Sequence, residues 1–191
     1  ESNLKKYDNA FFYKETVDAC SLKNESQDFG YSLGVLHHIP DTQKAINDCA
    51  IKLKKGAPFL LYLYYDFEDK PALFKLIWKL TDLLRIKVIS KLPPRIKKTT
   101  CSIIAITIYY PLAKFSRMLE ILGINVENIP LSDYRNKSFY IMSNDALDRF
   151  GTKLEQRFSK KDITNMLKNS GFHKITFSNK TPYWTCISYK A

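Results

Sequence analysis

Two adjacent histidines, His37 and His38, are the residues in this sequence best suited to move a proton near neutral pH. Neighbouring side chains diverge, so one of the pair is expected to face a cleft and the other to turn away. His37 is the one expected at a pocket rim, as a candidate general base. A metal site would need further ligands, and His173 lies on another element, so no metal is expected. The four cysteines, Cys20, Cys49, Cys101 and Cys186, show no CxxC spacing, which argues against zinc. A chain of this length does not need a disulfide framework, so they read as reduced, mostly buried thiols of a cytoplasmic protein. Arg135 and Arg149, with Tyr65, Tyr134 and Tyr140, are residue types able to bind a substrate carboxylate or phosphate. The glycines are Gly30, Gly34, Gly56, Gly123, Gly151 and Gly171, no two within three residues of each other. That spacing excludes a Gly-rich phosphate or dinucleotide loop within these residues.

These side chains need a framework, and 191 residues (22.2 kDa) with 45% hydrophobic and 26% charged residues suffice for one globular domain with a real core. A largely disordered chain is excluded. The net charge of +11 fits nucleic acid, an anionic membrane surface or an acidic ligand, and equally a Lys-rich proteome. Ala10–Lys14 (AFFYK) and Asp28–Leu33 (DFGYSL) suit strands. Apolar positions at Ala45, Ile46, Cys49, Ala50 and Leu53 make a helical stripe, started by Asp41 or Thr42 and stopped by Gly56. Pro58–Tyr65 (PFLLYLYY) is apolar on both faces, as in a covered central strand. Strand, helix, strand in this order makes a βαβ unit.

Lys70 to Leu122 reads as a helical insertion that caps the sheet. Leu73, Leu76, Ile77, Leu80, Leu83 and Leu84 form one stripe, and residues 70–98 are strongly basic, opposed by Asp82 alone. Pro93-Pro94 breaks the chain. The uncharged run Cys101–Ala113 is too short to span a bilayer, which takes about 18 to 20 residues, and Pro111 interrupts it. The α/β pattern then returns. Ser159 and Asp162 form a capping-box start, Ile163, Met166 and Leu167 the buried stripe, and Gly171 the stop. His173–Ser178 and Tyr183–Tyr189 read as an antiparallel strand pair around 179–182. The expected division is 1–69 with 123–191 as the α/β domain and 70–122 as the helical cap.

Gln27–Asp41 (QDFGYSLGVLHHIPD) resembles the fourth-strand segment of class I S-adenosylmethionine-dependent methyltransferases, whose common pattern is FDxVxSxxVLHHxxD. Leu53–Tyr65 (LKKGAPFLLYLYY) resembles the family's LKPGGxLLL entry to its fifth strand. Ser159–Phe177 (SKKDITNMLKNSGFHKITF) resembles its late helix and the following strand, and Asp145–Phe158 (DALDRFGTKLEQRF) resembles a subgroup with a helical insertion. The resemblance covers nearly the whole chain. It implies an α/β fold, a Rossmann-like sheet of order 3-2-1-4-5-7-6. The family's first strand, its GxGxG loop and the acid that ends its second strand have no counterpart here. Asn3–Lys14 is similar to the segment just after that second strand. The expectation is therefore an incomplete sheet, the carboxyl-terminal fragment of a methyltransferase lacking about one βαβ unit. Ala10–Lys14 would lose its usual partner, and the strand at Asp28–Leu33 would gain an open edge.

The same resemblance implies S-adenosylmethionine as cofactor. Its contacts are expected at Thr16, Val17 and Asp18, at Ser32, Leu33 and Gly34, and at His37. In the family's commonest spacing the adenine-binding acid aligns with Thr16, not Asp18. Ligands of open α/β sheets sit beyond the carboxyl ends of the strands, where Gly34 permits close approach. Methyl transfer from a sulfonium needs donor and acceptor aligned, so no nucleophile motif is expected. Tyr65, Tyr134, Arg135, Tyr140 and Arg149 are the candidates for acceptor binding. The acceptor is expected to be a small or lipid-like molecule, and the location cytoplasmic, with peripheral membrane contact through residues 70–98. The competing reading of that basic stretch is a solvated helix face. A nucleic-acid partner is not expected, since no RNA-reading motif or aromatic platform is evident. The rival function is a non-enzymatic methyltransferase-like module that binds a partner or a membrane through its basic helices.

Overall fold

The structure, a computed structural model, describes residues 7–68, 72–127, 129–179 and 184–191, without the side chain of Leu73. Lys70 at the start of the basic stretch, residues 3–6 of the segment likened to the family's amino-terminal half, and residues 180–183 of the expected strand pair lie outside these. The chain divides into two compact units, one of Glu1–Glu68 with Gln156–Ala191 and one of Asp69–Glu155. The helical unit thus runs farther along the chain than the 70–122 stretch whose apolar stripes mark it in the sequence.

The first unit is α/β. Its strands are β1 (Gly30–Leu33), β2 (Pro58–Tyr62), β3 (Phe172–Phe177) and β4 (Thr185–Lys190), in sheet order β1-β2-β4-β3. β1 and β2 are parallel, in register Gly30 to Phe59 through Leu33 to Tyr62. β4 runs antiparallel to both β2 and β3. This is the 4-5-7-6 part of the expected order, with the last strand reversed between its neighbours. β2 stops at Tyr62 rather than Tyr65, and Tyr65 instead forms an isolated bridge with Phe158.

Two helices of this unit bury their stripes with β2. α1 (Thr42–Lys52) starts where Asp41 accepts the Lys44 N–H at 2.8 Å, and it buries Ala45, Ile46 and Ala50. α6 (Lys160–Asn169) starts at a complete capping box. Ser159 Oγ accepts from the Asp162 N–H at 3.0 Å, and Asp162 accepts the Ser159 N–H at 3.1 Å. Ile163 and Leu167 of α6 join Ile46, Phe59, Leu61 and Leu63 in one core cluster. Only one face of β2 is fully buried. Leu60 and Tyr62 on the other face are half-exposed, where the sequence pattern implies cover on both sides.

The second unit is helical, with α2 (Ala72–Lys87), α3 (Pro94–Ile104), α4 (Tyr110–Ile121) and α5 (Phe139–Gly151). Its core joins Ile89, Cys101, Ala105, Tyr109, Ala113, Met142 and Ala146. Pro111 does not interrupt the apolar run as its sequence suggests. Residues Ala105–Tyr109 widen into a π turn, and α4 follows without a break. Proline has no N–H, and its ring crowds the carbonyl four residues back; a wider turn relieves both problems. No helix among the described residues is long and apolar enough to cross a membrane.

Residues 10–14 form no strand. Phe11 is 76% exposed, and among the described residues no ladder holds this stretch beyond the Ala10 N–H to Tyr7 carbonyl contact. Amide exchange at Phe11–Tyr13 should therefore be orders of magnitude faster than at Phe59 and Leu61, whose strand is paired on both edges. Equal protection, read by mass spectrometry or NMR, would contradict this description.

Candidate functional site

The carboxyl ends of β1 and β2 carry the densest set of expected site residues. Gly34 leaves β1 at φ +73°, and its N–H donates to the Tyr62 carbonyl at 3.1 Å. An added Cβ would meet only the Tyr62 ring at 3.9 Å, so the backbone angle, not space, requires glycine. The chain then enters a short turn, Leu36–His38, pinned by buried Leu36. Residues 156–158 run beside this turn. The Gln156 N–H donates to the His37 carbonyl at 3.0 Å, and the Phe158 N–H to the Tyr64 carbonyl at 2.9 Å. The Gln156 amide donates to the Ile39 carbonyl at 2.6 Å, and Arg157 Nη1 to the Tyr65 carbonyl at 3.1 Å.

Four rings and a guanidinium meet here. The His37 ring stacks on Tyr64 at 3.8 Å between centroids and lies 4.1 Å from the His38 ring. The Arg157 guanidinium sits over Tyr64 at 5.2 Å and over Phe67 at 4.3 Å. His37 is expected at a rim, yet it is fully buried. Neither of its ring nitrogens has a hydrogen-bond partner among the described residues. Burial first, then the charges of His38 and Arg157, push its pKa down to about 3. A histidine so hard to protonate is a poor general base at neutral pH. In this structure His37 works as a packing ring.

Ser32 is half-buried on β1, and Leu33 is exposed at its end. Tyr65 packs on Phe67 and Trp184 at 4.6 and 5.3 Å. Strand and turn thus bring Ser32, Leu33, Gly34, His37 and Tyr65 to one end of the sheet. Thr16, Val17 and Asp18 lie beside α1, near its first turn. Thr16 precedes the turn Val17–Ala19, which packs on α1, and Asp18 meets Lys44 Nζ of α1 at 3.5 Å. The Thr16 hydroxyl, then the Lys44 charge, hold the Asp18 carboxyl below its usual pKa.

The remaining candidates belong to the helical unit. Arg135 pairs with Glu120 at 2.8 Å, and Tyr140 is exposed on α5. Arg149 is half-buried. Desolvation opposes its charge, but Tyr109, Glu155, Asp145 and Tyr134 around it raise its pKa. Tyr134 and Tyr109 are both pushed up, first by burial and then by neighbours that include Asp145. The cavity beside Arg149, lined also by Trp78, Thr81, Asp82, Arg85 and Glu155, has room for about one water molecule. This cluster is a polar core, too tight for a substrate. Its Asp145 and Arg149, at i, i+4 spacing on α5, were visible as a pair in the sequence; Gln156 and Arg157, which stitch the sheet end together, carry no comparable signal.

S-adenosylmethionine would need, beyond the strand ends, a close backbone approach, an acceptor for its adenine amine and an acid for its ribose hydroxyls. The residues around Gly34 fit the first. The Asp18 carboxylate faces Lys44 on α1. Among the described acids of this unit, Asp28 pairs with Lys54, Asp41 caps α1, and Asp66 accepts from the Glu68 N–H. These four acids are engaged within the protein, and the part of the cofactor that the described residues visibly fit is the close backbone approach at Gly34.

No protein-family model matches the chain, and no curated protein does. Solved structures resemble it loosely. A Bordetella parapertussis protein, described as a possible exported protein, matches 89% of this chain and 41% of its own, at 12% identity and TM-score 0.44. A Thermotoga maritima SAM-dependent methyltransferase, described as a possible histamine N-methyltransferase, matches 100% of this chain and 68% of its own, at 11% identity and TM-score 0.46. A SAM-dependent methyltransferase of Methanosarcina mazei matches 92% and 65%, at 14% identity and TM-score 0.44. The chain therefore spans less than two thirds of the length of the first and third of these.

The burial of neutral His37 has a consequence for pH. The unfolded chain takes up a proton near pH 6.5, while the folded chain resists it until about 3. Below pH 6.5 the unfolded state binds more protons, so folding stability falls as the pH drops towards 3 and is fully present above 6.5. His37→Phe keeps a ring on Tyr64 and removes the titration. Its urea midpoint should match the parent at neutral pH or exceed it, and should decline less steeply on acidification. Parallel declines would show that His37 is not the group responsible.

Proposed function

We propose that these residues form the carboxyl-terminal part of a class I S-adenosylmethionine-dependent methyltransferase. The whole protein would transfer a methyl group to a small or lipid-like acceptor. One observation carries the reading: the sheet order β1-β2-β4-β3, with β4 reversed between two parallel neighbours and the VLHH segment leaving the end of β1. The low-scoring structural likenesses add no weight beyond that order.

β1 supports the second half of the proposal. Among the described residues it is paired only with β2, and Phe29, Tyr31, Leu33 and Val35 along it are about half-exposed or more. A strand–helix–strand unit beside β1 would cover that edge and bring the missing glycines and ribose acid. In the transfer itself the cofactor supplies an electrophilic methyl group. The protein's part is alignment of donor and acceptor, for which Ser32–Gly34 offer backbone at the strand ends. The second reading, a methyltransferase-like module without catalysis, draws on the cofactor residues that the described chain does not supply.

Titration calorimetry separates the two. The 191-residue chain should bind S-adenosylmethionine weakly or not at all, and a version extended at its amino end by the natural preceding sequence should bind it. Tight binding by the 191-residue chain would overturn the claim of a partial site. An extended chain that folds but does not bind would overturn the enzyme reading.

A further inference from the structure

We infer that α2 seats the protein on an anionic lipid surface, a role independent of any transfer chemistry. The helix is turned inside out relative to a water-soluble one. Its inward side carries Thr81, Asp82 and Arg85 beside Trp78. Arg85 is almost fully buried, pairs with Asp82 at 2.8 Å, and donates to the Thr152 carbonyl at 2.9 Å. Its outward side carries Leu76, Ile77, Leu80, Leu83 and Leu84, each between 50% and 59% exposed. A surface helix ordinarily places these faces the other way round. The buried Arg85 pair holds this orientation, since rotating the helix would strip a buried charge of its partners.

The chemistry of the occupant follows from the charges. Lys79 and Lys87 lie three and eleven residues after Leu76, on the same face as Leu80, Leu83 and Leu84. Lys91, Arg95 and Lys98 follow, all exposed. The single acid of this stretch, Asp82, is engaged by Arg85 on the inward side. An apolar stripe with a purely basic rim complements hydrocarbon bordered by phosphate, and lysine stems can lie along the stripe while their ammonium groups reach the headgroups. A second copy of the chain fits less well, because stacking two such faces brings lysine rows together without acids between them. At 16 residues α2 is about 24 Å long, and no described helix can cross a membrane, so it would lie on the surface.

Co-sedimentation of the 191-residue chain with vesicles tests this. Vesicles of phosphatidylcholine with phosphatidylglycerol should bind it at low salt, and raised salt or phosphatidylcholine alone should weaken the binding. Lys79→Gln with Lys87→Gln should lower the partition coefficient roughly thirtyfold, and Leu80→Ser with Leu83→Ser about tenfold or more. All four positions are exposed, so circular dichroism should show the parent fold. No binding of the folded parent at low salt would overturn the inference. So would binding that ignores both pairs of substitutions, or a dimer in the ultracentrifuge that these substitutions dissolve while vesicles stay unbound.

Discussion

The α/β unit hangs on one strand. β2 is hydrogen-bonded on both edges, to β1 and to β4, and it buries Phe59, Leu61 and Leu63 in the cluster shared with α1 and α6. Each fully buried side chain of this size stabilises the fold by about 1.5 to 3 kcal/mol, so this face of β2 contributes several kcal/mol to the unit. The helices are fastened together as well as to the strand: Gln43 of α1 donates to Ser170 Oγ and to the Met166 carbonyl at the end of α6. Whatever binds at the strand ends is held in place because β2 fixes where those ends are.

β1 depends on β2 and returns less. Its Gly30 is required by space, since an added Cβ would come within 3.1 Å of Leu53 and 3.2 Å of Phe59. The strand therefore lies close over the core with almost no side chain of its own at that point. Of its other residues, Tyr31 and Leu33 are exposed and Ser32 is half-buried. A parallel strand with one paired edge and apolar side chains in water is poorly accounted for by the residues described. A neighbouring parallel strand would pair the open edge, and the helix that joins it to the sheet would cover the apolar side chains, so the strand order and the open edge point to the same proposal.

The legible parts of the fold were those where a period and a terminal signal agreed. The stripe Ala45, Ile46, Ala50 with Asp41 before it, and the stripe Ile163, Leu167 with the Ser159–Asp162 box, each specify a helix, its start and its buried face. α2 has a period but no such agreement. Leu76, Leu80 and Leu83 mark a face, and periodicity alone does not say whether that face meets protein or solvent; the buried partners of Arg85 decide it, and they come from Thr152, far along the chain. His37 failed as a rim residue for a similar reason. Its position after β1 is local information, whereas its burial is produced by Tyr64 and by the Gln156–Phe158 segment, more than a hundred residues later in the chain. Pro111 misled through a rule that holds for α-helices: the π turn before it is a backbone solution that the apolar run Cys101–Ala113 does not announce.

Polar burial is what most separates the two units. In the α/β unit the buried polar ring of His37 titrates away its charge and remains neutral. In the helical unit acids and phenols gather around two arginines: Asp82 beside the buried Arg85, and Asp145, Glu155, Tyr109 and Tyr134 beside the half-buried Arg149. A buried arginine cannot shed its proton, so the surrounding elements must supply compensating groups. Helix α2 therefore turns Asp82 and Arg85 inward and leaves Leu76, Ile77, Leu80, Leu83 and Leu84, with Lys79 and Lys87, to face outward. The exposed apolar face is thus the direct cost of a charged interior, and a surface that accepts leucines and lysines together would recover it.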